Sequence, residues 1–219
     1  MRLPFADRAE AGRLLAGRLA ELVLPVPVVL ALPRGGVPVG NEVAARLSTA
    51  DEAAAFDVLV TRKIGYPYQP ELGVGAIAEG GEPVLDLPLI DRLRLSEGDL
   101  TTTILRERAE MDRRVAVYRD GRPLPAVAGR TAIVVDDGLA TGGTARAALR
   151  AVRARAPARL ILAVPVGAAE TVAALRAEAD DVVVLAEPRR FRAVGQWYER
   201  FDQLTDDDVL RVLERAGVK

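Results

Sequence analysis

The sequence contains neither cysteine nor histidine, and these two absences exclude several kinds of catalytic chemistry. Without cysteine, the chain forms no disulfide and offers no thiolate nucleophile or cysteine metal site. Without histidine, it lacks the Ser-His-Asp triad, an imidazole general base and the usual zinc ligands. Any catalysis must therefore use carboxylates, lysine, arginine, tyrosine, backbone dipoles or a hard metal bound by oxygen.

Aromatic residues are also scarce, at 4% of 219 residues, whereas half of the chain is hydrophobic. This aliphatic, alanine-rich composition favours layered α/β packing over a β-sandwich. The net charge of −1 provides no field that attracts nucleic acid or an anionic membrane surface. No apolar run reaches about eighteen residues, and the amino end lacks the layout of a signal peptide. We therefore expect one cytoplasmic domain over residues 1–219, with no nucleic-acid or membrane partner.

Apolar runs alternate with helical periodicity along the chain, which predicts a parallel sheet flanked by helices. The predicted buried strands are 28–32, 56–61, 131–135, 160–164 and 182–185, and the predicted helices are 7–22, 37–47, 96–118 and 168–179. Residues 74–78 and 83–85 predict a short hairpin around Gly80-Gly81. Residues 63–73 have two prolines, two tyrosines and no periodicity, which predicts a long, mobile loop.

The most informative pattern is an apolar strand (131–135) that ends in two adjacent acids, Asp136 and Asp137. A turn rich in glycine and threonine follows, and then an alanine-rich helix begins. Free backbone amides at such a turn bind phosphate, and paired acids suit sugar hydroxyls. The predicted phosphate-binding residues are Gly138, Leu139, Ala140, Thr141, Gly142, Gly143 and Thr144. The alternative is an ordinary strand–turn–helix with a polar loop.

Two better-known phosphate motifs do not fit this turn. A P-loop requires a lysine after its glycines, and the turn contains none. A dinucleotide fingerprint requires Gly-x-Gly-x-x-Gly after a strand, and the sequence has none. The order acid, acid, turn therefore predicts a site for a phosphorylated sugar.

Two further strand ends carry suggestive residues, because ligands of open parallel sheets bind beyond the carboxyl ends of the strands. Pro33-Arg34-Gly35-Gly36 follows the first strand; its glycines allow close approach of an anion, and Arg34 supplies positive charge. Arg62 and Lys63 follow the second strand. The alternatives are a plain tight turn for the first segment and solvated cations for the second.

These motifs together resemble the phosphoribosyltransferases of the type I fold, and in particular a bacterial stand-alone subgroup. The stretches that carry the resemblance are Leu-Pro-Arg-Gly-Gly-Val-Pro-Val, Arg-Lys-Ile-Gly, Gly-Ala-Ile-Ala-Glu-Gly-Gly, Val-Asp-Asp-Gly-Leu-Ala-Thr-Gly and Val-Gly-Gln-Trp-Tyr. They span essentially the whole chain and imply a Rossmann-like, three-layer domain with a small hood over the sugar site. Gly143 is a mild departure, since the subgroup often has alanine or serine there.

The resemblance also implies roles for the motif residues. Asp136 and Asp137 hold the ribose of phosphoribosyl pyrophosphate, and the turn 138–144 holds its 5′-phosphate. Arg34, Gly35 and Gly36 bind pyrophosphate, while Arg62 and Lys63, on a closing loop, neutralise the leaving group. Mg²⁺ binds through the substrate. One of the two aspartates either orients its water shell or stabilises the cationic sugar.

Two functions follow as alternatives. The first is an enzyme that transfers ribose 5-phosphate to a nitrogenous base and releases pyrophosphate. The second is a non-catalytic sensor that binds phosphoribosyl pyrophosphate or a nucleotide. The hood candidates are residues 86–125 and 187–219. The aromatic residues Phe191, Trp197, Tyr198 and Phe201 either stack on a flat base or close a core or a subunit contact, as in a homodimer.

Overall fold

The structure is a computed structural model that describes residues 3–22, 24–25 and 27–218. Its centre is a sheet of five parallel strands in the spatial order β2-β1-β6-β7-β8. The strands are β1 (Val28–Ala31), β2 (Ala55–Val58), β6 (Thr131–Val135), β7 (Arg159–Val166) and β8 (Asp181–Ala186). The predicted parallel α/β sheet is thus confirmed.

Helices cover both faces of this sheet and complete three layers. One face carries α1 (Arg8–Ala20), α2 (Gly36–Leu47) and α7 (Asp206–Arg215), and the other carries α5 (Gly143–Arg153) and α6 (Ala169–Leu175). Helices α3 (Leu87–Leu93) and α4 (Glu97–Arg119) contact the strands of a second sheet. Alternate residues of each strand face opposite sides of the sheet. Val29 and Ile133 accordingly pack with Leu15 of α1 in one core, whereas Leu30 and Val134 pack with Leu149 of α5 in the other.

Helix α6 is shorter than the predicted helix at 168–179, because it ends at Leu175. Residues 176–180 form a turn instead, and polar side chains of this turn contact neighbouring elements. The Asp180 carboxylate accepts from the Leu160 amide at 2.7 Å, and Glu178 accepts from Arg150 of α5 at 2.7 Å. The Asp180 amide also donates to the Leu160 carbonyl of β7 at 2.8 Å rather than to a carbonyl one helical turn earlier, so the backbone has left the helix by this residue.

A second sheet contains three antiparallel strands: β3 (Thr61–Tyr66), β4 (Gln69–Ala78) and β5 (Val84–Leu85). The predicted hairpin at 74–78 and 83–85 is confirmed by the β4–β5 pairing. The predicted loop at 63–73 is wrong, because these residues form the β3–β4 hairpin. Gly65 makes the irregular pairing possible, since a Cβ there would lie 2.5 Å from the Pro70 carbonyl oxygen. The predicted strand at 56–61 is divided between β2 and β3.

Residues 86–125, a predicted hood segment, form α3 and α4, and α4 packs on β3 and α7. Residues 187–218 form a 3₁₀ turn (Val194–Trp197), an extended stretch and α7. Among the helices of the described residues, none is long and apolar enough to cross a membrane.

Candidate active site

A cavity of about 390 Å³ lies at the carboxyl ends of β1 and β6. Its lining residues are Pro33, Arg34 and Gly35 after β1, Asp136 and Asp137 after β6, Arg8 of α1, and Phe201, Asp202, Gln203 and Leu204 of the C-terminal segment. The structure therefore brings two of the three predicted strand ends together in one cavity.

The turn after β1 lies directly against the acid pair. The Leu32 amide donates to the Val135 carbonyl at 2.8 Å, which continues the β1–β6 pairing as far as the turn. A Cβ on Gly35 would lie 2.0 Å from Asp137 Oδ2, and one on Gly36 would lie 2.6 Å from the Val135 oxygen. Only glycine permits this approach, so the two glycines place the turn and the carboxylates around the same space.

The two carboxylates are close and shielded from water. The Asp137 amide donates to Asp136 Oδ1 at 2.9 Å. Burial and the neighbouring charge of Asp137 raise the pKa of Asp136 well above its ordinary value. Burial also raises the pKa of Asp137, although the hydrogen bond and positive charge of Arg8 oppose this. Buried acids with perturbed pKa values are typical of functional sites.

The predicted phosphate turn follows the acids but lies outside the lining of this cavity. Leu139 is buried, its amide donates to the Val166 carbonyl at 2.9 Å, and its own carbonyl accepts from the Ala168 amide at 2.9 Å. Leu139 therefore has no amide to offer a phosphate. Ala140 and Thr141 are exposed, so the second half of the turn is open to solvent.

Helix α5 begins within this open part of the turn, at Gly143. Its N-cap residue, Gly142, has a φ of 72°, a conformation that favours glycine. The first helical hydrogen bond runs from the Arg146 amide to the Gly142 carbonyl at 2.9 Å. The amides before Arg146 have no partner within the helix, and such groups with the helix dipole favour an anion. Gly142, Gly143 and Thr144 are half-buried and Ala145 is fully buried, so the first residues of the helix are partly open to solvent.

Arg62 and Lys63 lie within β3 rather than on a loop, and neither is among the described residues that line the cavity. Arg62 donates two hydrogen bonds to Glu107 of α4, at 2.9 and 2.7 Å. The half-exposed Lys63 donates to the Glu71 carbonyl at 2.9 Å across the hairpin. The structure does not bring these two cations to the acid pair, and their catalytic role stays a prediction.

Arg8 is a cavity residue that the sequence patterns do not single out. Its Nε donates to Asp137 Oδ2 at 2.8 Å, its Nη1 donates to the Asp202 carbonyl at 3.0 Å, and its guanidinium carbon lies 3.8 Å above the centre of the Phe201 ring. The sequence offers one indication that Arg8 has a role in the site. Arg8 is the first residue of α1, where the helix dipole disfavours a cation, so its position suggests a role outside the helix.

The C-terminal segment reaches the cavity because it pairs with the N-terminal segment. The Phe5 amide donates to the Trp197 carbonyl at 2.8 Å, and the Glu199 amide donates to the Phe5 carbonyl at 2.7 Å. The predicted hood segment 187–219 thus supplies Phe201 to Leu204 to the cavity, whereas none of residues 86–125, all of them described, lines it.

The four C-terminal aromatic residues have different surroundings. Tyr198 is buried against Phe5, and Phe191 stacks on Trp197 with 6.3 Å between ring centres. Phe201 is the one of the four that lines the cavity. Phe201 thus fits contact with a ligand, whereas Tyr198 fits closure of a core.

No cluster of three or more metal-ligating side chains occurs in the part of the chain that the structure describes. Asp136 and Asp137 provide oxygen ligands, and these are the kind that magnesium prefers. Magnesium commonly uses one or two carboxylates together with substrate phosphates and water. The pair therefore fits a magnesium ion that a phosphorylated ligand brings with it.

Residues 8–195 match the sequence model of the phosphoribosyl transferase domain. The chain is 46% identical over 212 residues to a Mycobacterium tuberculosis (strain H37Rv) protein named "Putative phosphoribosyl transferase Rv0571c". That match covers 97% of this chain and 47% of the relative, so the chain spans about half the length of the curated relatives it matches. The crystal structure of TT1426 from Thermus thermophilus has 44% identity and a TM-score of 0.79, and covers 98% of this chain and 99% of its own.

Proposed function

Because the chain belongs to the phosphoribosyl transferase domain family, we propose that it transfers ribose 5-phosphate from phosphoribosyl pyrophosphate to a nitrogenous base. Pyrophosphate is the second product. The observation that carries this proposal is the close approach of the glycine turn after β1 to the acid pair after β6. The glycine turn and the acids face one cavity, and the turn that follows the acids in the chain leads to the start of α5 at Gly143.

Each part of the substrate has a matching group in this arrangement. Asp136 and Asp137 accept hydrogen bonds from the ribose hydroxyls. The amides at the start of α5 and the hydroxyls of Thr141 and Thr144 bind the 5′-phosphate. Arg34 and the backbone of Gly35 and Gly36 bind pyrophosphate. The half of the turn that contains Leu139 supports the loop, because its polar backbone groups are engaged with residues 166–168.

In the reaction, a nitrogen atom of the acceptor forms a bond to C1 of the ribose. The bond between C1 and the pyrophosphate oxygen breaks, its electrons leave with pyrophosphate, and the acceptor nitrogen loses a proton. The sugar becomes cationic on the way, and the carboxylates of the acid pair stabilise that charge. Arg34 stabilises the charge that grows on the leaving group. Positioning and charge stabilisation suffice as means of catalysis, which suits a protein without histidine.

A magnesium ion fits this site as an ion bound mainly by pyrophosphate, with Asp136 and Asp137 as the available carboxylates. When bound, it supplies positive charge that stabilises the leaving group. The protein residues orient the ribose, bind the 5′-phosphate at the start of α5 and bind pyrophosphate at the turn after β1.

The test is to incubate the protein with phosphoribosyl pyrophosphate, MgCl₂ and a panel of purine and pyrimidine bases, and to measure pyrophosphate release. We expect release that depends on one base and is lost in Asp136→Asn/Asp137→Asn. Binding without release for any base would support the sensor alternative. Absence of binding would contradict both functions.

A further inference from the structure

We infer that Arg8 is a positioning residue of this site: it holds the Asp137 carboxylate in the orientation in which that carboxylate meets the sugar. The inference rests on the proposed function, because it concerns how the sugar is bound. Arg8 lies outside the strand-end motifs, 129 positions before Asp137, and its contacts with the site are tertiary.

Three contacts fix the guanidinium of Arg8. It donates to Asp137 Oδ2 at 2.8 Å and to the Asp202 carbonyl at 3.0 Å, and it lies 3.8 Å from the centre of the Phe201 ring. A planar guanidinium suits such a combination of directed hydrogen bonds and ring stacking, whereas a lysine ammonium does not. Arg8 is therefore held in place independently of any ligand.

Asp137 is confined on its other side by the turn after β1. A Cβ on Gly35 would lie 2.0 Å from Asp137 Oδ2, so the turn backbone and Arg8 approach the same carboxylate oxygen. The side chains of Arg8 and Asp137 are only 11% and 13% exposed. A pair this shielded is weakly screened by salt. Each carboxylate oxygen accepts two hydrogen bonds, so Asp137 keeps capacity for a ligand hydroxyl.

The experiment measures the Kd of phosphoribosyl pyrophosphate with Mg²⁺ for wild type, Arg8→Gln and Arg8→Lys. We expect Arg8→Gln to weaken binding at least about ten-fold. Arg8→Lys should restore part of the affinity, since it keeps the charge, but not all of it, because an ammonium lacks the planar fork that makes the three contacts. Arg13→Gln is the matched control, because Arg13 lies on α1, is 61% exposed and pairs with Glu42 at 3.7 Å.

A double-mutant cycle with Asp137→Asn tests whether Arg8 acts through Asp137. We expect Arg8→Gln/Asp137→Asn to bind no more weakly than Asp137→Asn alone. Additive losses, or wild-type affinity in Arg8→Gln, would overturn the inference. Thermal unfolding of each variant shows whether a loss of affinity reflects loss of the fold. If Arg8→Gln does not fold, Arg8→Lys serves as the test and should bind more weakly than wild type. Full affinity of Arg8→Lys would then overturn the inference. Absence of binding by wild type would instead contradict the proposed function.

Discussion

The hydroxyl of Tyr198 donates a 2.6 Å hydrogen bond to the backbone carbonyl of Asp137. Tyr198 is buried, and its ring lies 5.5 Å from that of Phe5 and 5.1 Å from that of Phe201. The C-terminal segment therefore does more than line the cavity. It also holds the backbone carbonyl of Asp137 in place, immediately before the predicted phosphate turn begins at Gly138.

Tyr198→Phe should lower both stability and ligand affinity. The change keeps the ring but leaves the Asp137 carbonyl without this donor, which costs about 1 kcal/mol of unfolding free energy. Chemical denaturation and binding of phosphoribosyl pyrophosphate measure the two effects. Tyr68→Phe is the control, because Tyr68 lies in the β3–β4 turn and is 75% exposed. Equal affinities of wild type and Tyr198→Phe would contradict a positioning role for this hydrogen bond.

Gly35→Ala should abolish binding of phosphoribosyl pyrophosphate. Its new methyl group would lie 2.0 Å from Asp137 Oδ2, so either the carboxylate or the turn must move. Gly17→Ala in α1 is the matched control, since a Cβ there meets nothing within 4 Å. The control should bind normally and gain about 0.5–1 kcal/mol of stability from its helix position. Normal binding by Gly35→Ala would show that the close approach is dispensable.

Asp136→Asn should make the protein more stable at neutral pH while it weakens ligand binding. The folded-state pKa of Asp136 is raised by burial and by Asp137, whereas the unfolded value is ordinary. Between these two values the folded state binds more protons, so rising pH removes stability from wild type. Asparagine does not titrate, so the difference in unfolding free energy between the variant and wild type should vanish below about pH 4. Unfolding free energies of both proteins, measured from about pH 4 to neutral pH, test this; a wild type at least as stable as the variant at neutral pH would contradict it.

Arg62→Ala and Lys63→Ala should have different effects. Arg62 carries two hydrogen bonds to Glu107, whose side chain is 9% exposed, so its removal should lower the unfolding temperature. Lys63 is 45% exposed and its ammonium contacts Glu71, which is itself exposed, so its removal should leave stability unchanged. If the hairpin supplies a cation to the leaving group, Lys63→Ala should lower turnover more than affinity. Unchanged turnover in both variants would show that neither cation of the β3–β4 hairpin contributes to catalysis.

Features that depend on local pattern could be predicted from the sequence. Strands 131–135 and 160–164 are continuous apolar runs, which is how strands covered on both faces appear. The acids and glycines at the strand ends carry the phosphate-site prediction. The structure brings Arg34, Gly35, Asp136 and Asp137 together around one cavity.

Features that depend on tertiary contacts could not be predicted. The β3–β4 hairpin contains Pro67 and Pro70, which argue against strands, and its pairing depends on the close contact of Gly65 with Pro70. Arg8 and Asp137 are 129 residues apart, and nothing local links them. The sequence predicts Phe201 as an aromatic residue of the hood segment, but periodicity does not show which distant segments meet in the fold. The contact between Phe201 and Arg8 therefore had no signal except one unfavourably placed cation.

The pairing of Phe5 with Trp197 and Glu199 joins segments that almost the entire polypeptide separates. Arg8 and Phe201 follow the two paired segments, so this side of the cavity exists only while the segments stay together. A molecule in which they separate would lose the contacts that Arg8 and Phe201 make, so the capacity to retain a ligand reports that the pairing is intact.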